Sequence, residues 1–145
     1  SYNMTRRNFS KGNYRISTDK RKLQFKVIQE FLSNSYWAKG RDPEITKASI
    51  RNSCCFGLYH NDNQIGFARV ITDYATFAYL ADVFIIEEFR GRGLSKWFMK
   101  VVFEYGEFKP VKRWMLATTD AHGLYRKFGF TKLPDPTKLM QMTKV

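Results

Sequence analysis

The chain has 145 residues, 43% apolar and 17% aromatic, which predicts a single domain with a packed core. No apolar run approaches the roughly 18 residues of a bilayer-crossing helix, and the polar, basic opening carries no signal-peptide pattern. The net charge is +12, and the two cysteines, Cys54 and Cys55, are adjacent, which excludes an ordinary framework disulfide or a zinc site and predicts a reduced, cytoplasmic protein.

In chain order, residues 1–11 are polar and expected to be frayed. Tyr14 to Ser17 reads as a short first strand. Thr18 or Asp19 caps a helix predicted over 20–34, with Leu23, Val27, Ile28, Phe31 and Leu32 on one face. Asp42-Pro43-Glu44 combines a cap, a first-turn proline and an acid near the positive helix end, so a second helix is predicted from there to about Asn52. Cys54–His60, the turn Asn61-Asp62-Asn63 and Gln64–Thr72 read as a hairpin. Phe77 to Ile86 is a mostly apolar and therefore central strand. A helix follows over Leu94–Tyr105, burying Leu94, Trp97, Phe98, Val101, Val102 and Tyr105. Arg113–Thr118 is a further strand, and Asp120–Phe128 a short helix ended by Gly129. Phe130–Leu133 and Leu139–Met142 are expected to finish the sheet.

Between the central strand and the helix at Leu94 stands Arg90-Gly91-Arg92-Gly93-Leu94-Ser95. A glycine-rich turn entering a helix turns several N–H groups toward one point, where unpaired donors and the helix dipole favour an anion. A basic loop whose glycines only make a bend has the same composition. The Walker pattern requires Lys-Ser/Thr after its last glycine, and Leu94-Ser95 stand there. The dinucleotide fingerprint requires a glycine at the position of Lys96.

The excess charge sits at the ends: +7 over residues 1–26, −1 over 27–108 and +6 over 109–145. A nucleic-acid protein concentrates basic residues on one face, interleaved with aromatics, so nucleic acid is disfavoured as a partner. A positive field that steers a polyanionic small ligand fits the distribution.

Two stretches resemble a known family. Ile85-Ile86-Glu87-Glu88-Phe89-Arg90-Gly91-Arg92-Gly93-Leu94-Ser95 is similar to V-x-P-x-(Y/F)-R-G-x-G-x-(G/A), the acetyl-CoA motif of the GNAT superfamily of N-acetyltransferases. Leu116 to Phe130, with Leu124-Tyr125 and Gly129-Phe130, resembles the strand and helix ending L-Y-x-x-x-G-F. Glu87 replaces the usual proline, Ser95 the usual Gly or Ala, and Thr118 stands where an Asn is often found.

The resemblance implies an α/β (α+β) fold: a mixed, mostly antiparallel sheet of six to seven strands, flanked by about four helices and splayed between the fourth predicted strand (Phe77–Ile86) and the fifth. It implies acetyl-CoA as cofactor, transfer to a primary amine by direct attack in a ternary complex, no membrane partner, and room for a homodimer. Phe84, Ile85 and Ile86 would line the pantetheine arm. Arg90, Gly91, Arg92, Gly93, Leu94 and Ser95 would surround the pyrophosphate, and Thr118 and Tyr125 would complete the cofactor site. Tyr125 would act as general acid, its reference pKa near ~10 against ~8.5 for a thiol. Packing alone would also explain this tyrosine.

For the general base, Asp82 leads, because an apolar strand should raise its pKa. Asp73, Glu87, Asp120, His122 or a water chain are alternatives. Tyr36 and Trp37 between the first two helices, and Tyr74 with Thr76 and Phe77 at the third turn, are candidates for the acceptor site. Neither cysteine has the Cys-His setting of a covalent route. The acceptor itself stays open, and a CoA-binding sensor without turnover is the competing reading.

Overall fold

A computed structural model of the protein describes residues 7–144. Six strands form one sheet in chain order: β1 (Asn8–Lys11), β2 (Tyr14–Ser17), β3 (Cys54–His60), β4 (Asn63–Thr72), β5 (Ala78–Ile85) and β6 (Trp114–Leu116). Neighbours are antiparallel except β5 and β6, which run parallel. Helices α1 (Phe25–Ser33) and α2 (Pro43–Arg51) lie between β2 and β3, α3 (Leu94–Phe103) follows β5, and α4 (His122–Arg126) follows β6. No helix among the described residues is long and apolar enough to cross a membrane.

Each face of the sheet has its own core. On one, Leu94, Phe98, Met99 and Val102 of α3 pack with Ile16, Phe56, Leu58, Val70 and Leu80. Phe98 and Val102 are fully buried, each burial stabilising by roughly 1.5–3 kcal/mol. On the other, Ile28 and Leu32, one helical turn apart on α1, meet Cys55, Phe67 and Phe84.

Several elements differ from expectation. Residues 1–6 of the segment expected to be frayed lie outside the described residues, but Asn8–Lys11 is strand β1. It is held by its ladder to β2 around Gly12 at φ 59°. The helix predicted over 20–34 is broken. Asp19 caps only a 3₁₀ turn, Lys20–Lys22, and α1 begins at Phe25. Gln24 causes the break: its N–H donates to the Gln64 side chain at 2.7 Å, and its own Oε1 accepts from the Gln64 N–H at 3.0 Å, pinning Gln24 in an extended conformation. The strands predicted at Phe130–Leu133 and Leu139–Met142 do not form. Between them Asp135 caps a 3₁₀ turn, Pro136–Lys138, that begins at a proline. Phe130 is held by its ring, 5.3 Å from Phe103 and 5.9 Å from Tyr125.

The feature that positions the site is a β-bulge. Phe67 pairs with Phe84 and Arg69 with Ala81, so Ala68 alone opposes Asp82 and Val83. Asp82 takes φ 53°, a left-handed conformation that Asp tolerates better than most side chains. The extra residue reverses which face each side chain meets. Ala78 and Leu80 point to the α3 core, whereas Phe84 points to the α1 core. Pairing of β5 with β6 covers only Ala78–Leu80 with Trp114–Leu116; past that point the two chains part.

Candidate active site

The parted strands open a cleft of about 650 Å³, walled by β5 from Tyr79 to Ile85, by Leu116 at the end of β6 and residues 117–121 after it, and by Tyr125 of α4. The loop between α1 and α2 forms its far side through Tyr36, Trp37 and Arg41. Aromatic rings run from that loop to the sheet. Tyr36 meets Trp37 at 5.2 Å, Trp37 meets Phe31 at 6.3 Å, and Phe31 stacks on Phe84 at 4.1 Å.

Asp82 is the centre of the charged part of the wall. It accepts from Trp37 Nε1 at 2.8 Å, from Arg41 Nη1 and Nη2 at 2.9 and 3.2 Å, and from Arg69 Nε at 3.0 Å. Its side chain is 2% exposed. Burial by itself would push the carboxyl up, but the Arg41 bonds, the Arg69 charge and the Trp37 N–H outweigh it and hold the group below its ordinary value. That corrects the expectation of Asp82 as a general base: a carboxylate so held binds a proton poorly. Its observed work is to fix Arg41, Arg69 and Trp37.

Tyr125 is buried in the wall, and its hydroxyl has no hydrogen-bond partner among the described residues. Burial, with smaller contributions from Asp120 and Tyr36, pushes the phenol up to about 12, so it stays protonated at neutral pH. Thr118 lines the cleft and accepts from the Ala121 N–H at 3.0 Å, which holds the turn that leads into α4. Tyr36 is 65% exposed and its hydroxyl shares a hydrogen bond with Thr119 at 2.9 Å, linking the α1–α2 loop to the segment after β6.

The glycine turn leads from β5 to α3. Gly91 and Gly93 take φ 76° and 77°, and Gly93 is the N-cap of α3 with no side chain on the helix donors. A Cβ at either would meet no atom within 4 Å. Glycine is therefore required by the backbone conformation, and the space over the turn is open. Arg90 braces the turn, its Nε donating to the Ile85 carbonyl at 2.9 Å and its guanidinium lying 5.9 Å over Phe31.

Of the cofactor residues expected, Phe84, Ile85, Arg90, Ser95, Thr118 and Tyr125 share the cleft wall; Ile86, Gly91, Arg92, Gly93 and Leu94 lie outside it. Leu94 is buried in the α3 core, which leaves only its backbone for a ligand. Arg92 turns away, stacked 4.9 Å over Phe89 and bonded to the Tyr14 hydroxyl and the Glu88 carbonyl.

Of the acceptor residues, Tyr36 and Trp37 are in the wall and Tyr74 is not. Tyr74 sits in the β4–β5 turn, at the end of β5 that remains paired with β6, with its ring 5.8 Å from Phe108. Thr76 and Phe77 share that end. Asp73 holds the same turn: the Thr76 hydroxyl and the N–H groups of Thr76, Ala75 and Phe77 bind its carboxylate and keep it well below the usual range, unsuited to a base. Glu87 and His122 also lie outside the cleft wall, whereas Asp120 is part of it. Cys54 and Cys55 are buried, and burial pushes their thiols up to about 11 and about 12, the inert direction.

Arg41 and Arg69 were missed by sequence reasoning. A signal existed: Arg69 stands in the apolar run Ile65–Ile71 and Asp82 in the apolar run Tyr79–Ile86 of the adjacent strand. A charge buried in one strand requires a partner, and its neighbour strand carries the opposite sign.

The acetyltransferase (GNAT) family model matches residues 25–130. A Gibberella zeae protein that bears acetyltransferase in its name is 33% identical over 141 residues, covering 83% of this chain and 80% of its own. The crystal structure of a GNAT-family protein from Xanthomonas campestris pv. campestris superposes with a TM-score of 0.87 at 43% identity, over 90% of this chain and 93% of that one. A GNAT acetyltransferase of Elizabethkingia anophelis, solved with acetyl-CoA bound, shares the fold with a TM-score of 0.64 at 19% identity, over 83% and 78% of the two chains.

Proposed function

This chain belongs to the acetyltransferase (GNAT) family, and from that membership we propose that it moves an acetyl group from acetyl-CoA to a primary amine by direct attack within the cleft. The observation that carries the reading is the union of three features: the open turn at Gly91 and Gly93, whose flanking residues Arg90 and Ser95 line the cleft, the parted β5 edge, and an unpartnered phenol at Tyr125. When bound, acetyl-CoA supplies a thioester whose carbonyl carbon bonds to the amine nitrogen as the C–S bond breaks.

The chain's residues divide the rest of the work. The N–H groups of the turn and of the first turn of α3, with Arg90 and the Ser95 hydroxyl, hold the pyrophosphate. The edge of β5 at Phe84 and Ile85 is bare of a β6 partner and, with Ile86 just past its end, lines the pantetheine arm; the Ile86 N–H is bonded to the Ile65 carbonyl and the Ile85 carbonyl to Arg90, which leaves the remaining backbone groups for the pantetheine amides. Tyr125 Oη donates a hydrogen bond to the departing sulfur. A free thiol near ~8.5 is a weak match for a phenol so raised, but the burial that raises the phenol raises a thiol in the same cleft in the same direction. The ammonium proton of the acceptor passes to Asp120, a cleft carboxylate with no salt bridge among the described residues. The attacking nitrogen sheds its second proton as the C–S bond breaks, Tyr125 Oη gives its proton to the departing sulfur and takes that one in its place, and the proton on Asp120 leaves to solvent, so the products are an amide and a free thiol.

The test is titration with acetyl-CoA by calorimetry, with Gly93→Glu in parallel, followed by thiol release against a panel of amines. Micromolar binding abolished by the substitution, with release that requires an amine, is expected. No binding by the unaltered protein removes the reading; binding without release for any amine makes it a CoA sensor instead.

A further inference from the structure

The reading above leaves the acceptor unnamed, and the charged wall of the cleft narrows it. Arg41 and Arg69 both converge on Asp82, so two guanidiniums share one carboxylate and the cluster keeps one net positive charge. Their side chains are only 23% and 10% exposed, and what exposure they have opens into the cleft they line. Donors are left over. Arg69 spends Nε on Asp82 and Nη1 on Ser53, and its Nη2 has no partner among the described residues; nor has Arg41 Nε. Neither atom is among the buried donors without a partner, so both stay accessible, and a charge-assisted bond to an anion is stronger than one to water.

The surroundings say which anion. Beside the cluster, Trp37 is 39% exposed and backed by Phe31, which is itself stacked on the buried Phe84; an aromatic wall of this kind favours a ligand with an apolar body. The leftover donors sit one on each of two guanidiniums that share Asp82, and a carboxylate has an oxygen for each. Asp120, beyond the cluster in the same wall, supplies the opposite sign next to Tyr125.

Building on the transferase reading, we propose that the acceptor is an amino acid-like molecule, a primary amine with a carboxylate on the same small body. The carboxylate docks on Arg41 and Arg69, and the amine lies toward Tyr125 and Asp120. Asp82 is the positioning residue that presents the two guanidiniums.

The experiment compares kcat/KM by thiol release for pairs that differ only in the carboxylate: phenylalanine against phenethylamine, leucine against isoamylamine, lysine against cadaverine. The carboxylate members are expected to be favoured by roughly tenfold or more, the usual worth of a charge-assisted bond. Arg41→Gln should bring the pairs near parity while acetyl-CoA affinity by calorimetry is kept, and Arg41→Lys should retain part of the preference. Should these variants not fold, inhibition of the unaltered protein decides: 3-phenylpropionate should compete with the acceptor and 3-phenylpropanol should not. Equal or better turnover of the carboxylate-free amines overturns the proposal, as does equal competition, or absence of turnover of every carboxylate member by protein that binds acetyl-CoA. Failure to bind acetyl-CoA is a separate result that removes the transferase reading itself.

Discussion

The two halves of β5 obey different rules. From Ala78 to Leu80 the strand is bonded on both edges, to β4 and β6, and its side chains alternate between a core and the opposite face. Past the bulge at Asp82 and Val83 only β4 remains, the faces are exchanged, and the free edge looks into a cleft. One extra residue separates a structural half from a functional half. A bulge bends and twists its strand, so β5 leaves β6 at the position where Asp82 enters the left-handed region. The strain and the buried carboxylate at that point are offset by four hydrogen bonds from Trp37, Arg41 and Arg69.

The strongest way to break the contrast is Asp82→Asn. Asn tolerates the same positive φ, so the substitution removes the charge and leaves the bulge. Two guanidiniums then lack their shared anion, a loss of about 3 kcal/mol in denaturant-measured stability. The pH dependence checks the cause. The folded-state pKa of Asp82 lies below its ordinary value, so its contribution is full above about pH 4 and lost as pH falls through the folded value. The gap between the two proteins should therefore narrow in acid. A gap that persists unchanged would mean that the cluster's charge is not what stabilises this half.

Tyr125→Phe probes the open half without touching its stability, because the hydroxyl has no protein partner to lose among the described residues. We expect kcat to fall by about 10²-fold while acetyl-CoA affinity is kept. In the unaltered protein the phenol, pushed up to about 12, should cause no alkaline loss of kcat below about pH 11.

Both halves differ in how far the amino-acid sequence reveals them. The paired half and its neighbours were legible because local chemistry and tertiary role agree there. Asp42-Pro43 starts α2 as its residue types require, and Asn61 at φ 55° turns the hairpin between β3 and β4. The turn at Gly91 and Gly93 was legible for the same reason. The bulge was not, since it arises from register between strands and Asp82-Val83 has no distinguishing composition. With it went the role of Asp82, read as a lone acid in an apolar strand when two arginines from distant segments neutralise it. Strand β1 escaped because it is exposed on all but Phe9 and is held by backbone bonds, which leave no apolar period. The two C-terminal strands were read from short apolar runs alone, which do not by themselves make a strand.

Gly93→Ala separates conformation from crowding at the end of the open half. The Cβ meets nothing within 4 Å, so any effect comes from φ 77°, worth roughly 1–2 kcal/mol. If the turn relaxes to avoid that strain its donors disperse, and acetyl-CoA affinity should fall by about tenfold with modest loss of stability. Gly123→Ala is the control. It too has open space, but no positive φ, and sits in α4, where alanine is favoured over glycine; it should cost nothing in stability.

The smallest effect tests whether the open half has a fixed width. Tyr36 reaches from the α1–α2 loop to Thr119 across the cleft, with both residues exposed. An exposed neutral hydrogen bond contributes at most about 1 kcal/mol, so Tyr36→Phe should leave the melting temperature within about 4 °C of the unaltered protein. Its consequence belongs to the acceptor. The ring remains against Trp37 and the wall keeps its shape, but the loop is no longer tied to the segment after β6. KM for the amine should then rise by about threefold with kcat and acetyl-CoA affinity unchanged. A fall in kcat instead would mean that the tie also holds Tyr125, which lines the same cleft, and the two sides of the cleft would have to be treated as one unit.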